Sequence, residues 1–250
     1  MAARKNPKSE VDQAVDKYLP YILEIRKRIL FLLIFFLVFS AIGFIYYEKV
    51  ITLILSIFAL EGVNIVFTSP FQFLSLAVNT GLLLGGLVVF PLLVFQILSF
   101  LKPALSKKEF KTISFLIPLS VILFVCGFLF GTLIMRYVVV IFYEKTVNLE
   151  IGNFLDITLL ISQILTTSLL MGVAFQFPIF ITLLIKLGVV KYEFFAKKRI
   201  FAYAISLVFA TLLPPTDMLS LVFLTLPLIA LYEITLFANG YIFKTAPAIQ

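Results

Sequence analysis

The sequence predicts an all-α integral membrane protein with six transmembrane helices and both termini on the cytoplasmic side. The first observation is composition: hydrophobic residues make up 62% of the 250 positions and charged residues 13%, against about 45–50% and about 25% in soluble domains. A water-soluble domain of this size has too little interior to bury so much apolar surface. Apolar runs of membrane-spanning length and an uneven distribution of Lys and Arg are the other two observations.

Five apolar runs reach the length of about 20 residues that a membrane-spanning helix needs. They cover residues 29–47, 71–101, 112–135, 157–185 and 218–238. A sixth run, residues 200–213, would measure only about 21 Å as a helix, a length that also suits a re-entrant segment. The basic residues 197–199 before it and Pro214-Pro215 after it favour a short span that forms a tight hairpin with the last run.

The connections complete the predicted architecture. The first outer connection is apolar at residues 50–60 but too short to span, so it predicts one or two short helices that cap the bundle. The third connection, roughly residues 136–156, is expected on the same outer side. The predicted parts are a cytoplasmic N-terminal segment (1–28), a six-span membrane domain (29–241) and a cytoplasmic tail (242–250).

The orientation follows from the positive residues, which accumulate on the cytoplasmic side of membrane proteins. Of the 20 Lys and Arg residues, 17 lie in the N-terminal segment, the second and fourth connections and the C-terminal tail. The remaining residues, Lys49, Arg136 and Lys145, fall on the opposite side. Topology and contact with anionic lipids therefore explain the net charge of +7, and nucleic-acid binding is not expected.

The residue types that are missing exclude several kinds of catalysis. The sequence has no histidine and one cysteine, and it lacks the P-loop, zinc-protease and G-x-S-x-G motifs. Histidine-based acid–base catalysis, His-ligated metals and internal disulfides are therefore excluded. We expect no enzyme activity, no cofactor and no metal site. We also expect Cys126, within the apolar run LFVCGFLF, to be a buried thiol.

Two acidic residues near the cytoplasmic surface are candidate binding groups. Glu24 lies four residues before Arg28, so it either forms a local helical ion pair or presents a carboxylate to a cationic ligand. Glu109 is the acid of the short second cytoplasmic connection, which is otherwise cationic. It is either a solvated loop residue or the attractive point for a cation there. The residue pattern alone leaves both alternatives open.

Polar residues within the apolar runs are informative because they are costly in a bilayer. Gln176 and Glu233 lie inside the fourth and last runs, where each is either satisfied within the bundle or contacts another helix. Asp217 is placed to cap the last helix. Two glycine pairs permit close helix approach, with internal packing favoured over oligomerisation: Gly81-x-x-x-Gly85 and Gly127-x-x-x-Gly131. Prolines that favour bends interrupt four runs: Pro91, Pro118, Pro178 and Pro227.

Taken in order, these segments resemble those of TatC, the multispanning core of the twin-arginine protein translocase. The resembling segments are residues 23–28, residues 68–73 with Pro70, residues 91–96 followed by Phe100, residues 103–105 and Glu109, residues 175–178, Pro214-Pro215 with Asp217, and residues 232–234. Four features differ from the family pattern, and one of them is the N-terminal extension before Tyr18, which the pattern does not contain. Gln176 stands where many members carry Glu, Thr216 separates the double proline from Asp217, and the usual histidines before the acidic motifs are absent.

The resemblance implies a concave bundle that acts as a receptor for the Arg-Arg motif of signal peptides on folded precursors. Glu24 and Glu109 match the two recognition carboxylates of the family. Arg26, Arg28 and Phe100 are expected at the same site. The residues that the resemblance marks as structural or outer-side are Pro70, Pro91, Pro214, Pro215 and Asp217.

The resemblance also implies partners and a location. The partners are single-span proteins similar to TatA and TatB, which would contact the intramembrane residues Gln176 and Glu233 in homo- and hetero-oligomers. Transport would be driven by the proton-motive force, and the location would be the plasma (inner) membrane of a prokaryote, with an organellar membrane as the alternative. Two other functions compete: a secondary transporter for a small cation that uses Glu233, Gln176 and broken helices, and a membrane scaffold without a substrate.

Overall fold

The computed structural model describes residues 10–58, 64–66, 69–101, 107–148, 154–215 and 217–242, and nearly all of them are helical. The helices are α1 (Glu10–Ile45), α2 (Tyr47–Phe58), α3 (Gln72–Leu101), α4 (Lys107–Asn148), α5 (Ile157–Ala174), α6 (Phe177–Lys186), α7 (Tyr192–Lys197), α8 (Arg199–Thr211) and α9 (Met218–Phe237). A π-helical turn, Ala238–Ile242, extends α9. Two short strands, β1 (Asn64–Val66) and β2 (Phe154–Asp156), pair in parallel.

Five stretches of the described chain are long and apolar enough to cross a membrane, and they coincide with the five long predicted runs. They are Leu19–Ile45, Gln72–Phe100, Ser114–Phe142, Ile157–Lys186 and Met218–Tyr241. The short predicted run corresponds to α8, which has 13 residues and a length of about 20 Å. The number of six spans therefore depends on α8 and stays a prediction, as does the orientation in the membrane.

Helix α1 packs against α3 through small residues. A Cβ atom on Gly81 would lie 2.7 Å from the carbonyl oxygen of Ser40, and one on Gly85 would lie 2.9 Å from that of Phe36. A Cβ atom on Gly43 would lie 3.0 Å from the Cα atom of Gly81. The first glycine pair is therefore used for packing inside the protein.

The second glycine pair joins α4 to α5 in the same way. A Cβ atom on Gly127 would lie 2.6 Å from the carbonyl oxygen of Met171, and one on Gly131 would lie 2.7 Å from the Cα atom of Ser168. Cys126 is exposed, so the prediction of a buried thiol was wrong. Its neighbour Gly127 faces α5, and the thiol therefore projects from another side of α4.

Three predicted spans have different bounds in the structure. Helix α1 begins at Glu10 and its apolar stretch at Leu19, both before the predicted start of the first span at residue 29. Helix α4 has 42 residues and continues to Asn148, so the expected outer connection at 136–156 begins a dozen residues late. The fourth predicted run is divided into α5 and α6. Phe175 is the C-cap of α5, Gln176 is the N-cap of α6, and Pro178 stands in the first turn of α6. Proline is tolerated there because the first amide groups of a helix have no intrahelical acceptor.

Helix α2 and the strand pair lie at the end of the bundle that is predicted to face the outer side. Ile51, Ile54 and Phe58 of α2 are buried in a cluster with residues of α3, α4 and α5, which confirms the predicted short helix in the first outer connection. The pairing of β1 with β2 was not predicted. The last pair of this ladder joins Val66 to Asp156. Asp156 is also the N-cap of α5, where its Oδ1 accepts the amide of Thr158 at 2.8 Å.

The α8–α9 hairpin turns at the double proline, as the sequence predicted. Asp217 caps α9 by accepting the backbone amide of Ser220 at 2.8 Å, so the predicted cap is confirmed. The peptide bond between Pro214 and Pro215 is cis. Thr167 of α5 donates its hydroxyl to the carbonyl oxygen of Pro214, and this bond ties the turn to the bundle.

We predict that Gly81→Ala destabilises the protein by about 2 kcal/mol, because the added methyl group meets backbone atoms that cannot move without separating α1 from α3. Gly86→Ala is the matched control, since its Cβ would meet only the mobile end of the Leu169 side chain at 3.2 Å. Thermal unfolding in detergent, followed by circular dichroism, measures both variants. Equal melting temperatures for the two would contradict the close α1–α3 contact.

Candidate functional site

Glu24 lies on α1, on the side of the bundle that is predicted to be cytoplasmic. Its Oε1 accepts hydrogen bonds from Arg28 Nη2 at 2.6 Å and from Arg28 Nε at 3.1 Å. The local ion pair, one of the two alternatives for Glu24, is therefore present. The pair does not use the whole carboxylate, since Oε2 makes no hydrogen bond to any residue that the structure describes.

Arg28 joins this carboxylate to α3. Its Nη1 donates to the carbonyl oxygen of Gln96 at 2.9 Å and to the Gln96 side-chain oxygen at 2.5 Å. The guanidinium carbon lies 5.6 Å from the centre of the Phe100 ring, within the range of a cation–π contact. One guanidinium therefore contacts Glu24, Gln96 and Phe100.

Exposure differs along this cluster. The Glu24 side chain is 42% exposed and the Arg28 side chain 23%. Arg26 is exposed and makes no ion pair with any described residue, so it stands beside the cluster. A ligand that approaches from the cytoplasm would meet the Glu24 carboxylate before it met the more buried guanidinium.

Glu109 cannot be placed in the same detail. Its backbone lies in the first turn of α4, but its side chain is outside the described residues, as is the connection 102–106. The predicted pairing of Glu24 with Glu109 at one site therefore stays a prediction.

Gln96 was not among the predicted site residues, although it lies in a segment that the resemblance used. The available signal was its spacing: Gln96 and Phe100 are four residues apart on one helix and therefore share a face. Because Phe100 was predicted at the site, the shared face of α3 could have predicted that the Gln96 amide lies there as well. What the sequence could not predict is that Arg28 would reach across from α1.

Gln176 lies deep in the bundle at the break between α5 and α6. It is 1% exposed, and its Nε2 donates to the carbonyl oxygen of Ser120 on α4 at 2.9 Å. Its Oε1 is buried and has no hydrogen-bond partner within the described part of the chain. The amide is thus half satisfied inside the protein, and a helix from outside would reach it only if neighbouring side chains moved.

Glu233 is bound within the protein. Its Oε2 lies 3.1 Å from Arg199 Nη1, and its Oε1 accepts the hydroxyl of Tyr203 at 2.5 Å. Both partners lie on α8, so the carboxylate fastens the beginning of α8 to the end of α9. This explains how an acid is tolerated near the end of an apolar helix, and a role at a partner helix stays a prediction.

Comparison with protein families matches residues 20–227 to the family described as Sec-independent protein translocase protein (TatC). TatCy of Bacillus subtilis is 31% identical over 235 residues, which are 91% of this chain and 90% of that protein. TatC of Aquifex aeolicus is 29% identical over 235 residues, 92% of this chain and 97% of that protein.

Two crystal structures of a protein described as the twin-arginine translocase receptor TatC have the same fold. One has a TM-score of 0.72 and 26% sequence identity and covers 88% of this chain and 97% of that chain. The other, in the detergent DDM, has a TM-score of 0.76 and 28% identity and covers 86% of this chain and 97% of that chain.

Proposed function

The chain belongs to the TatC family of Sec-independent protein translocase proteins, and we propose that it is the receptor for the Arg-Arg motif of signal peptides on folded precursors. As a TatC protein it is a multi-pass protein of the prokaryotic inner membrane and a component of a translocase rather than an enzyme. The receptor function within that translocase is what the Glu24 cluster supports.

The single observation that carries the proposal is that Glu24 already binds a guanidinium. Arg28 contacts one carboxylate oxygen, Oε1, through two nitrogens, so the carboxylate is accessible to a guanidinium and its second oxygen stays available to a signal-peptide arginine. Planar guanidinium matches a carboxylate through two parallel hydrogen bonds, whereas an ammonium group acts as a point charge. A carboxylate at this position therefore favours arginine over lysine.

The occupied carboxylate also defines how a peptide would bind. An incoming arginine would use Glu24 Oε2 or displace Arg28 from Oε1. Displaced Arg28 would keep its two acceptors on Gln96, at 2.9 and 2.5 Å, so the exchange would not leave a buried guanidinium without partners. In this account, Arg28 binds the Glu24 carboxylate until a signal-peptide arginine replaces it, and we call Arg28 the internal occupant of that carboxylate.

We assign the second arginine of the motif to Glu109, with Phe100 as the apolar neighbour of the site. In the sequence, lysines at 107 and 108 directly precede Glu109, and the exposed Arg26 lies two residues after Glu24. This positive charge would repel cationic ligands that bring too few contacts to compete. The apolar part of the signal peptide would follow the bundle into the membrane.

Recruitment of single-span TatA- and TatB-like partners is the second part of the proposal, with assembly into homo- and hetero-oligomers and export driven by the proton-motive force. The unpartnered oxygen of Gln176 is the feature that supports an intramembrane contact, because a hydrogen bond between helices contributes about 0.6–2 kcal/mol in membranes. Glu233 would act indirectly by holding α8 against α9. No observation favours the small-cation transporter, because Glu233 is engaged by Arg199 and Tyr203.

We predict that Glu24→Gln and Glu109→Gln each reduce photocrosslinking of an Arg-Arg signal peptide in membranes at least about fivefold, because each removes a charge-assisted hydrogen bond. A Lys-Lys peptide should crosslink weakly to the unchanged protein. Glu144→Gln is the control, since that exposed acid lies on the opposite end of the bundle. Undiminished crosslinking in the Glu24 and Glu109 double variant would place recognition elsewhere.

A second prediction concerns the internal occupant. Removing Arg28 as Arg28→Gln frees the Glu24 carboxylate from a partly exposed pair that contributes about 0.5–1 kcal/mol, so affinity for the Arg-Arg peptide should rise about two- to fivefold. Arg26→Gln removes the same charge from an exposed neighbour and should have a smaller effect. Equilibrium binding to protein in nanodiscs measures both. Weaker binding to the Arg28 variant would contradict the exchange.

A further inference from the structure

The connection between α6 and α8 carries a surface on which positive and apolar side chains alternate. We call it the basic apolar patch, and its exposed residues are Val189, Lys191, Phe194, Lys197, Lys198, Ile200 and Phe201. The apolar members are well exposed, with Phe194 at 55%, Ile200 at 79% and Phe201 at 63%. Ile200 and Phe201 stand in the first turn of α8, so the patch continues directly into a helix that enters the membrane.

The lysines of the patch are free to bind a ligand. Within the residues that the structure describes, Lys191, Lys197 and Lys198 form no ion pair, and the ammonium of Lys198 lies 4.9 Å from the centre of the Phe201 ring. The adjacent Arg199 is different, because it is engaged by Glu233. Glu193 is the acid within the patch, and the surface therefore keeps an excess of positive charge.

Contacts with α9 fix the position of the short helix α7, which carries part of the patch. Tyr232 of α9 donates its hydroxyl to the carbonyl oxygen of Phe195 at 2.8 Å. The Tyr192 ring lies over Gly240, where an added Cβ would come 2.8 Å from its hydroxyl oxygen. One side of α7 is thus fixed to the end of α9, and the other side presents Phe194 and the lysines outward.

We propose that the basic apolar patch binds anionic phospholipid headgroups of the cytoplasmic leaflet. Lysines attract anionic headgroups at the membrane surface, and their alkyl stems lie along apolar surface while the ammonium groups stay in the headgroup layer. Exposed aromatic and aliphatic side chains beside them enter the boundary of the acyl chains. A protein partner is a poorer fit, because Ile200 and Phe201 belong to α8, the helix that is predicted to be the short span, and so they are expected to face lipid.

Headgroup binding by the patch would also determine where the α8–α9 hairpin lies in the membrane. Helix α8 measures about 20 Å, whereas the hydrocarbon layer is about 30 Å thick. Headgroup binding by the lysines fixes the beginning of α8 at the cytoplasmic surface. The missing length then falls on the outer side, at the Pro214-Pro215 turn, and the outer leaflet has to adjust there.

The chain has no tryptophan, so Phe194→Trp creates a single fluorescent reporter within the patch. The protein is placed in phosphatidylcholine vesicles that contain the same mole fraction of brominated phosphatidylglycerol or brominated phosphatidylcholine. We expect quenching by the anionic lipid to exceed quenching by the neutral lipid about two- to fivefold. Val125→Trp, an exposed reporter in the middle of α4, should show a ratio of about one, because Arg136, the next charged residue along α4, is about three helical turns away.

The lysines are tested in the reporter protein. Changing Lys191, Lys197 and Lys198 together to Gln should lower the quenching ratio to about one, whereas changing them to Arg, or changing Lys49 and Lys145 to Gln, should preserve it. If the Gln variant does not fold, raising the salt concentration with the unchanged lysines should lower the ratio instead. Three results would overturn the proposal. The first is a quenching ratio of one with the lysines present, the second is a ratio that is unchanged by their loss or by high salt, and the third is no quenching by either lipid.

Discussion

The close contact between α1 and α3 is the constraint on which the proposed site depends. Most of α1 is exposed, and in a bilayer its apolar face gains nothing by leaving lipid for other apolar side chains. The glycines at 43, 81 and 85 allow the two backbones to meet, and Arg28 bonds across to Gln96 at the other end. Without these contacts Glu24 would sit on a helix of undefined position.

Polar contacts between neighbouring helices also fix their relative positions elsewhere in the bundle. Asn79 on α3 donates to Ser162 on α5 at 2.6 Å, and the hydroxyls of Thr132 on α4 and Ser168 on α5 lie 2.8 Å apart. Gln176 adds a bond to α4. Such bonds select one arrangement of helices where apolar packing alone does not distinguish protein from lipid. The proposed recognition site needs that selection, because it requires Glu24 to keep a defined position relative to α3.

Composition and the lengths of the apolar runs were enough to predict the long helices, because apolar length is a property of a single segment. The cap at Asp217 was predictable for the same reason. The extension of α4 to Asn148 was not, since Arg136 and the charged residues at 144 and 145 interrupt the apolar pattern without breaking the helix. The strand pair and the contact of Arg28 with Gln96 join distant segments, and no single-sequence periodicity reports such contacts.

The central claim is that the Glu24 carboxylate binds an arginine of the signal peptide directly. A double-mutant cycle tests it: the Kd of Arg-Arg and Lys-Lys peptides is measured for the unchanged protein and for Glu24→Gln in nanodiscs. The account predicts a coupling energy of about 1–3 kcal/mol, because the loss of either partner removes the same charge-assisted pair. Additive effects, with a coupling energy near zero, would show that Glu24 and the peptide arginines do not meet.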